Sequence, residues 1–146
     1  LCAQADWLSA SRLPWPLEPH GDFMARIEIA RGDIVLVDLS GAVGSEHQNH
    51  SVSQTRPCVV VQNDGGNRAS PVTIVAPITD DGSYKGYPQQ VKATAEQVNG
   101  TKESIIHCGQ LRTVDRDSRI KKNVGKVSSN LMPEIDKALK ASLGLR

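Results

Sequence analysis

Arg56-Pro57-Cys58-Val59-Val60-Val61-Gln62, followed after a short break by Val72-Thr73-Ile74-Val75-Ala76-Pro77-Ile78, decides the fold. Both runs are short, rich in β-branched residues and apolar almost throughout, which predicts largely buried strands at 57–62 and 72–78. The break, Asn63-Asp64-Gly65-Gly66-Asn67, is made of turn-forming residues. Pro77 has no N–H to give a ladder, so it predicts a bulge or an edge near the end of its strand.

Working outward, residues 34–39 (IVLVDL) have the same character and predict a first buried strand. The polar stretch 40–55, with glycines at 41 and 44, predicts a long loop between it and Arg56. Downstream of Asp80-Asp81-Gly82, shorter strands are expected at 89–93, 104–107 and 111–114. The period then changes. Leu131, Ile135, Leu139 and Leu143 recur at four-residue steps with Ala138 beside them, one apolar helical face. Ser128, Ser129 or Asn130 is placed to cap this helix, Pro133 to sit in its first turn and Gly144 to end it. Short strands followed by one helix predict a mainly β chain with helices, folded as a small, strongly bent sheet or half-open barrel.

At 146 residues, 38% hydrophobic and 23% charged, the chain has the composition of one ordinary globular domain. It contains no apolar run of about eighteen residues or more, so no membrane-spanning helix is predicted. The net charge of +1 points to no partner. Its distribution says more: Arg112, Arg116, Arg119, Lys121, Lys122 and Lys126 face only Asp115 and Asp117 within 112–126, a patch able to attract phosphates. Three cysteines (Cys2, Cys58, Cys108) without a CxxC pair suggest neither a zinc site nor a redox couple, and fit a reducing cytoplasm. Residues 1–23 hold both tryptophans and three of the eight prolines without sustained periodicity. They are expected to be a disordered extension upstream of a natural start at Met24, or else an arm docking Trp7 and Trp15 on a partner. The domain proper is expected to be 24–146.

In order along the chain, Arg31-Gly32-Asp33-Ile34-Val35, Gly44-Ser45-Glu46, Arg56–Asp64, Gly66-Asn67-Arg68, Ser70-Pro71, Val75-Ala76-Pro77-Ile78-Thr79, Lys85-Gly86-Tyr87-Pro88 and Gln110-Leu111-Arg112-Thr113-Val114-Asp115 resemble the MazF/PemK family of toxin endoribonucleases. No single piece is specific, but eight in family order are. The resemblance runs from about Arg31 to Leu143. It implies an SH3-like barrel of the CcdB/MazF type with a C-terminal helix, working as a cytoplasmic homodimer. It further implies metal-independent, cofactor-free cleavage of single-stranded RNA at short motifs, and an acidic antitoxin tail as partner.

RNA carries its own nucleophile, the 2′-OH. An enzyme cleaving it must align that oxygen with phosphorus, take its proton, stabilise the phosphoryl charge and see the 5′-oxygen protonated. Arg56 suits the third task, because a guanidinium fork binds two phosphoryl oxygens and stays cationic. The resemblance places Thr79 beside Arg56, with its hydroxyl within bonding distance, and gives Glu46 the position of a loop carboxylate able to take a proton or orient the arginine. Some relatives carry an arginine and an aspartate, proposed as acid and base, where this chain has His107 and Gly109. His107 can serve either way near neutral pH, whereas Gly109 can do neither. The alternation Ile105-Ile106-His107-Cys108 equally allows a partly buried structural histidine. The loop before Arg56 is longer than in most relatives and adds His47, Gln48 and His50, a histidine pair with no third metal ligand in suitable spacing. Tyr84 and Tyr87, flanking Lys85, can stack bases and hold a phosphate; Gln110 and Arg112 are further RNA-binding candidates. Two other readings remain: a non-catalytic toxin on the same barrel, resembling the gyrase poison CcdB, and an inactive RNA-binding relative. The helix tip Ala141-Ser142-Leu143-Gly144 lacks the tryptophan typical of the former.

Overall fold

The computed structural model describes residues 26–146. The expected extension at 1–23 and the expected start at Met24 lie outside them. Seven strands form one mainly antiparallel sheet: β1 (Asp33–Val37), β2 (Arg56–Val60), β3 (Val72–Asp80), β4 (Gln90–Ala93), β5 (Ser104–His107), β6 (Arg112–Asp115) and β7 (Ile120–Lys126). Their order is β4-β5-β3-β2-β1-β7, with β6 also on β3. Among the described residues three helices accompany them: α1 (Asp64–Ala69), α2 (Arg116–Arg119) and α3 (Met132–Leu143). A 3-10 turn spans Asp81–Ser83. The mainly β architecture with a C-terminal helix agrees with the sequence reading.

β3 is the hub because it is long enough to serve three partners. Val72 to Val75 pair with β6, Val75 to Pro77 with β2, and Ile78 to Asp80 with β5. Pro77 sits where pairing passes from β2 to β5, the point at which a missing N–H costs least. Register shifts between β1 and β7 at Ile34/Val35 and Leu36/Val37 bend the sheet where its first and last strands meet. Asp33, buried at this seam, accepts from Ala30 N–H and Asn123 Nδ2 and lies 3.7 Å from Lys126 Nζ.

The residues expected to turn at 63–67 instead open a helix. Asn63 caps α1, its side chain accepting from Gly66 N–H at 2.8 Å. Two glycines are tolerated in α1 because Asn67, 1% exposed, is tied on every side. Its amide donates to the Gln62 carbonyl and its oxygen accepts from Thr73 Oγ1 and Gln62 Nε2. At the other end, Leu131 stands at the N-cap of α3 and gives no side-chain cap, so none of the three expected capping residues is used. Pro133 lies in the first turn and Gly144 ends the helix at φ +69°, as expected. Leu131 and Ile135 are fully buried and Ala138 nearly so, whereas Leu143 is 58% exposed. Four-residue steps gain about 40° per repeat on a 3.6-residue turn, which carries the fourth leucine off the buried face.

Candidate active site

Arg56 begins β2 directly after the long loop, and Thr79 lies near the end of β3. The sheet brings both to one end with His107, the last residue of β5. The Arg56 guanidinium donates from Nε to the Gln48 carbonyl of its own loop, and from Nη1 to the Ile78 carbonyl at 3.3 Å. Its expected partner, the Thr79 hydroxyl, is engaged elsewhere: Oγ1 lies 2.8 Å from His107 Nε2, 3.2 Å from Ser83 Oγ and 3.2 Å from the Asp80 carbonyl. Arg56 and Thr79 therefore share one site through the Ile78 backbone, without a direct hydrogen bond between them.

His107 is 7% exposed, with Ser83 Oγ at 3.5 Å from the same Nε2. The ring of His47, from the loop, packs against it with centroids 4.3 Å apart and a 54° tilt. Burial, then the His47 ring, then the Arg56 cation push the His107 imidazole down to about 4. Burial and Arg56 also hold His47 below its ordinary range. Both rings are consequently neutral at pH 7, each with one nitrogen able to accept. His50 stands apart, its Nδ1 accepting from Val52 N–H. Among the described residues no three His, Cys, Asp or Glu side chains converge as a metal-binding set.

The remaining candidates divide by what their side chains already hold. Glu46 is exposed and its carboxylate accepts from Val43 N–H at 2.7 Å, within its own loop. Gln110 clasps that loop from the other side, accepting from His47 N–H at 2.7 Å and donating to the Ser45 carbonyl at 3.2 Å. Arg112 donates to the Leu39 and Ser40 carbonyls at 2.8 and 3.2 Å. Between the loop and the β5–β6 connection lies a cavity of about 630 Å³, lined by Val43, Glu46, His47, Pro77, Gln110 and Arg112 among others. Tyr84, Lys85 and Tyr87 lie on an exposed irregular segment beyond the 3-10 turn, outside that lining. Lys92 Nζ lies 5.4 Å from the Tyr84 ring centre, and the Lys85 N–H is held by Gln90. Gly109 leaves little room for a side chain, since a Cβ there would stand 2.8 Å from Gln89 Cγ.

Sequence reasoning gave His47 no part in this site, nor Ser83. The one available signal was a histidine placed directly after Gly44-Ser45-Glu46. Arg31-Gly32-Asp33, by contrast, is a structural motif. Arg31 donates to the Val61 carbonyl and pairs with Asp136 of α3 at 2.6 Å, and Gly32 adopts φ +94° with Met132 Sδ packed close by.

The sequence model described as PemK-like, MazF-like toxin of type II toxin-antitoxin system matches residues 30–143. A relative from Staphylococcus epidermidis, named Endoribonuclease MazF, is 41% identical over 117 residues, covering 80% of this chain and 92% of its own length. MazF from Deinococcus radiodurans superposes with a TM-score of 0.67 at 21% identity, over 82% of this chain and 99% of that one. An endoribonuclease from Mycobacterial species, solved in complex with its cognate antitoxin, gives 0.62 at 20% identity, over 81% and 97%. Those two likenesses concern the fold, which is the barrel-like one that the strand order describes. Family pattern, relative and fold agree over one span, and the chain is a member of the PemK-like, MazF-like toxin family of type II toxin–antitoxin systems.

Proposed function

We propose that this toxin is an endoribonuclease that cuts single-stranded RNA by attack of the 2′-OH, and that Arg56, Thr79 and His107 form its reaction centre. What carries the reading is the gathering of a guanidinium, a hydroxyl and a neutral imidazole from three strands at one end of the sheet. Family membership and the relative named Endoribonuclease MazF support it.

His107 Nε2 takes the 2′ proton, and the freed oxygen bonds to phosphorus. A bound phosphate monoanion offsets the Arg56 cation and raises the imidazole toward the range in which it is an effective base. Arg56 turns from the Ile78 carbonyl onto the phosphoryl oxygens, where the charge grows. The Thr79 hydroxyl, released from Nε2 by the substrate, donates to the same oxygens. The P–O5′ bond breaks and the departing oxygen takes a proton from a water molecule that the His107 imidazolium reprotonates, leaving a 2′,3′-cyclic phosphate, a 5′-hydroxyl and the neutral imidazole. The charge that a metal would bring is supplied by Arg56, so the reaction proceeds in chelator.

Tyr84 and Tyr87, both exposed, offer ring faces to unpaired bases beside Lys85. Glu46, Gln110 and Arg112 shape the cavity next to the centre, and their hold on the loop sets which base enters. The working form is a cytoplasmic homodimer, held inactive by an acidic antitoxin tail lying along the basic surface.

The test is a long unstructured RNA incubated with the chain in EDTA, with the new ends mapped. Cuts at one short motif with cyclic phosphate ends are expected. Intact RNA alongside gyrase-dependent DNA damage would move the assignment to a protein-poisoning toxin, and intact RNA that is nonetheless bound would indicate an inactive relative.

A further inference from the structure

His47 comes from the loop, makes no side-chain hydrogen bond, and still has its Nε2 buried without a partner. An imidazole placed so is not held by polar contacts of its own. What it does make is the ring contact with His107. That contact closes a small circuit. The His107 carbonyl accepts from Gln110 N–H at 3.2 Å, the Gln110 side chain accepts from His47 N–H at 2.7 Å, and the His47 ring returns to the His107 ring at 4.3 Å. Gln110 also grips the Ser45 carbonyl, so the loop cannot slide along the connector without breaking two hydrogen bonds.

We infer that His47 is a positioning residue for the cleavage reaction: its ring, seated by Gln110, fixes the His107 imidazole with Nε2 on the Thr79 hydroxyl and shields it from water. The inference rests on the proposal that His107 takes the 2′ proton. A free imidazole ring rotates about two torsions, and a proton acceptor turned away from its target loses most of its use. Among the groups around the pair, Arg56 alone brings a charge to bear on it. Arg56 on β2 is cationic, Thr79 on β3 and Ser83 on the 3-10 turn are neutral, and Gln110 on the connector is neutral. Glu46, the neighbouring carboxylate, is turned to Val43 N–H. Two imidazoles in contact beside one guanidinium cannot both hold protons cheaply, so His47 keeps its neighbour neutral as well as oriented. The depression of His107, in which His47 is the largest contribution after burial, agrees with this.

The experiment uses the full chain with His47→Ala and His47→Phe, each checked for native circular dichroism. Two readouts are followed: the NMR titration of the His107 ring protons, assigned with His107→Gln, and the pH dependence of RNA cleavage. His47→Ala is expected to move the His107 titration upward toward the ordinary histidine range and to carry the acidic limb of kcat/KM with it. Cleavage at pH 7 should fall about 10- to 100-fold. His47→Phe, which keeps a ring against His107, is expected to recover most of that rate. An unmoved His107 titration in His47→Ala overturns the inference, and so does a His47→Phe variant as slow as His47→Ala, which would mean that His47 meets the RNA itself. Failure of the underlying proposal looks different: His107→Gln would cut RNA at the native rate, whatever the titration of His107 in the His47 variants.

Discussion

Arg56 has two of its donors on backbone carbonyls, Gln48 in the loop and Ile78 in the strand. Neither carbonyl carries a full charge, so a phosphate displaces both at small cost and gains a charge-assisted, forked contact. Arg56→Ala is therefore expected to lower kcat by roughly 10²–10³ while leaving the fold unchanged, read as cleavage rate beside a thermal melt. Arg56→Lys should recover only a small part, because one ammonium cannot reproduce the fork. His107 makes a prediction of the opposite kind, on stability. Its folded-state value of about 4 lies below the ordinary 6.5, so the unfolded chain binds the proton first. The stabilisation is complete above about pH 6.5 and is lost as the pH falls toward 4. His47, shifted the same way, adds to this window. Asp38, held at about 2, titrates below it. Urea unfolding at pH 7.5 and 4.5 should differ by on the order of 1–3 kcal/mol, and His107→Gln should narrow the gap. An equal gap in the variant would refute the assignment.

At the scale of elements, α3 separates burial from mere periodicity. Ile135 is wholly enclosed and Leu143 is mostly in water, although both belong to the same four-residue series. Ile135→Ala should cost about 2–5 kcal/mol, whereas Leu143→Ala should stay within about 0.5 kcal/mol, in the same urea titration. Comparable losses would mean that the tip of α3 is covered in solution. The central strands were readable because β-branched runs such as Cys58-Val59-Val60 have few other conformations open to them. α1 was not, since Asn63-Asp64-Gly65-Gly66 is as good a turn as a helix start until Asn67 finds Thr73 and Gln62. β7 was hidden by Lys121 and Lys122, which read as a charged surface and also keep an edge strand from pairing with strangers. Arg56 and Thr79 were legible by their place in the motif, but the course of the loop was not. Loop position follows from single anchors such as Gln110 to Ser45, which no periodicity announces, and His47 reached the site by that route.

At the scale of the whole molecule, the described residues hold two apolar clusters on opposite faces of the same strands. Ile34, Val59, Ala76 and Ile106 pack with Leu131 and Ile135 of the α3 side, while Val35, Cys58, Val60, Val75 and Val114 pack on the other. Adjacent residues of β1, β2 and β3 thus serve different clusters, which explains why these strands are apolar almost throughout instead of alternating. Such an arrangement cannot lose one core and keep the other, because opening either exposes the strands that carry both. The cysteines report on this directly. Cys58 belongs to one cluster and Cys108 to the other; both are fully buried, and each thiol is pushed up to about 12 by burial. In the native state neither reacts; once exposed, each regains an ordinary thiol of about 8.5 and reacts fast. In a Cys2→Ser background, native-state thiol labelling should give Cys58 and Cys108 one shared opening free energy, equal to that of global unfolding and falling in parallel with urea. A Cys108 that opened several kcal/mol more easily than Cys58 would show that β5 and α3 detach as a unit, and that β3 does not bind the two faces into one cooperative fold.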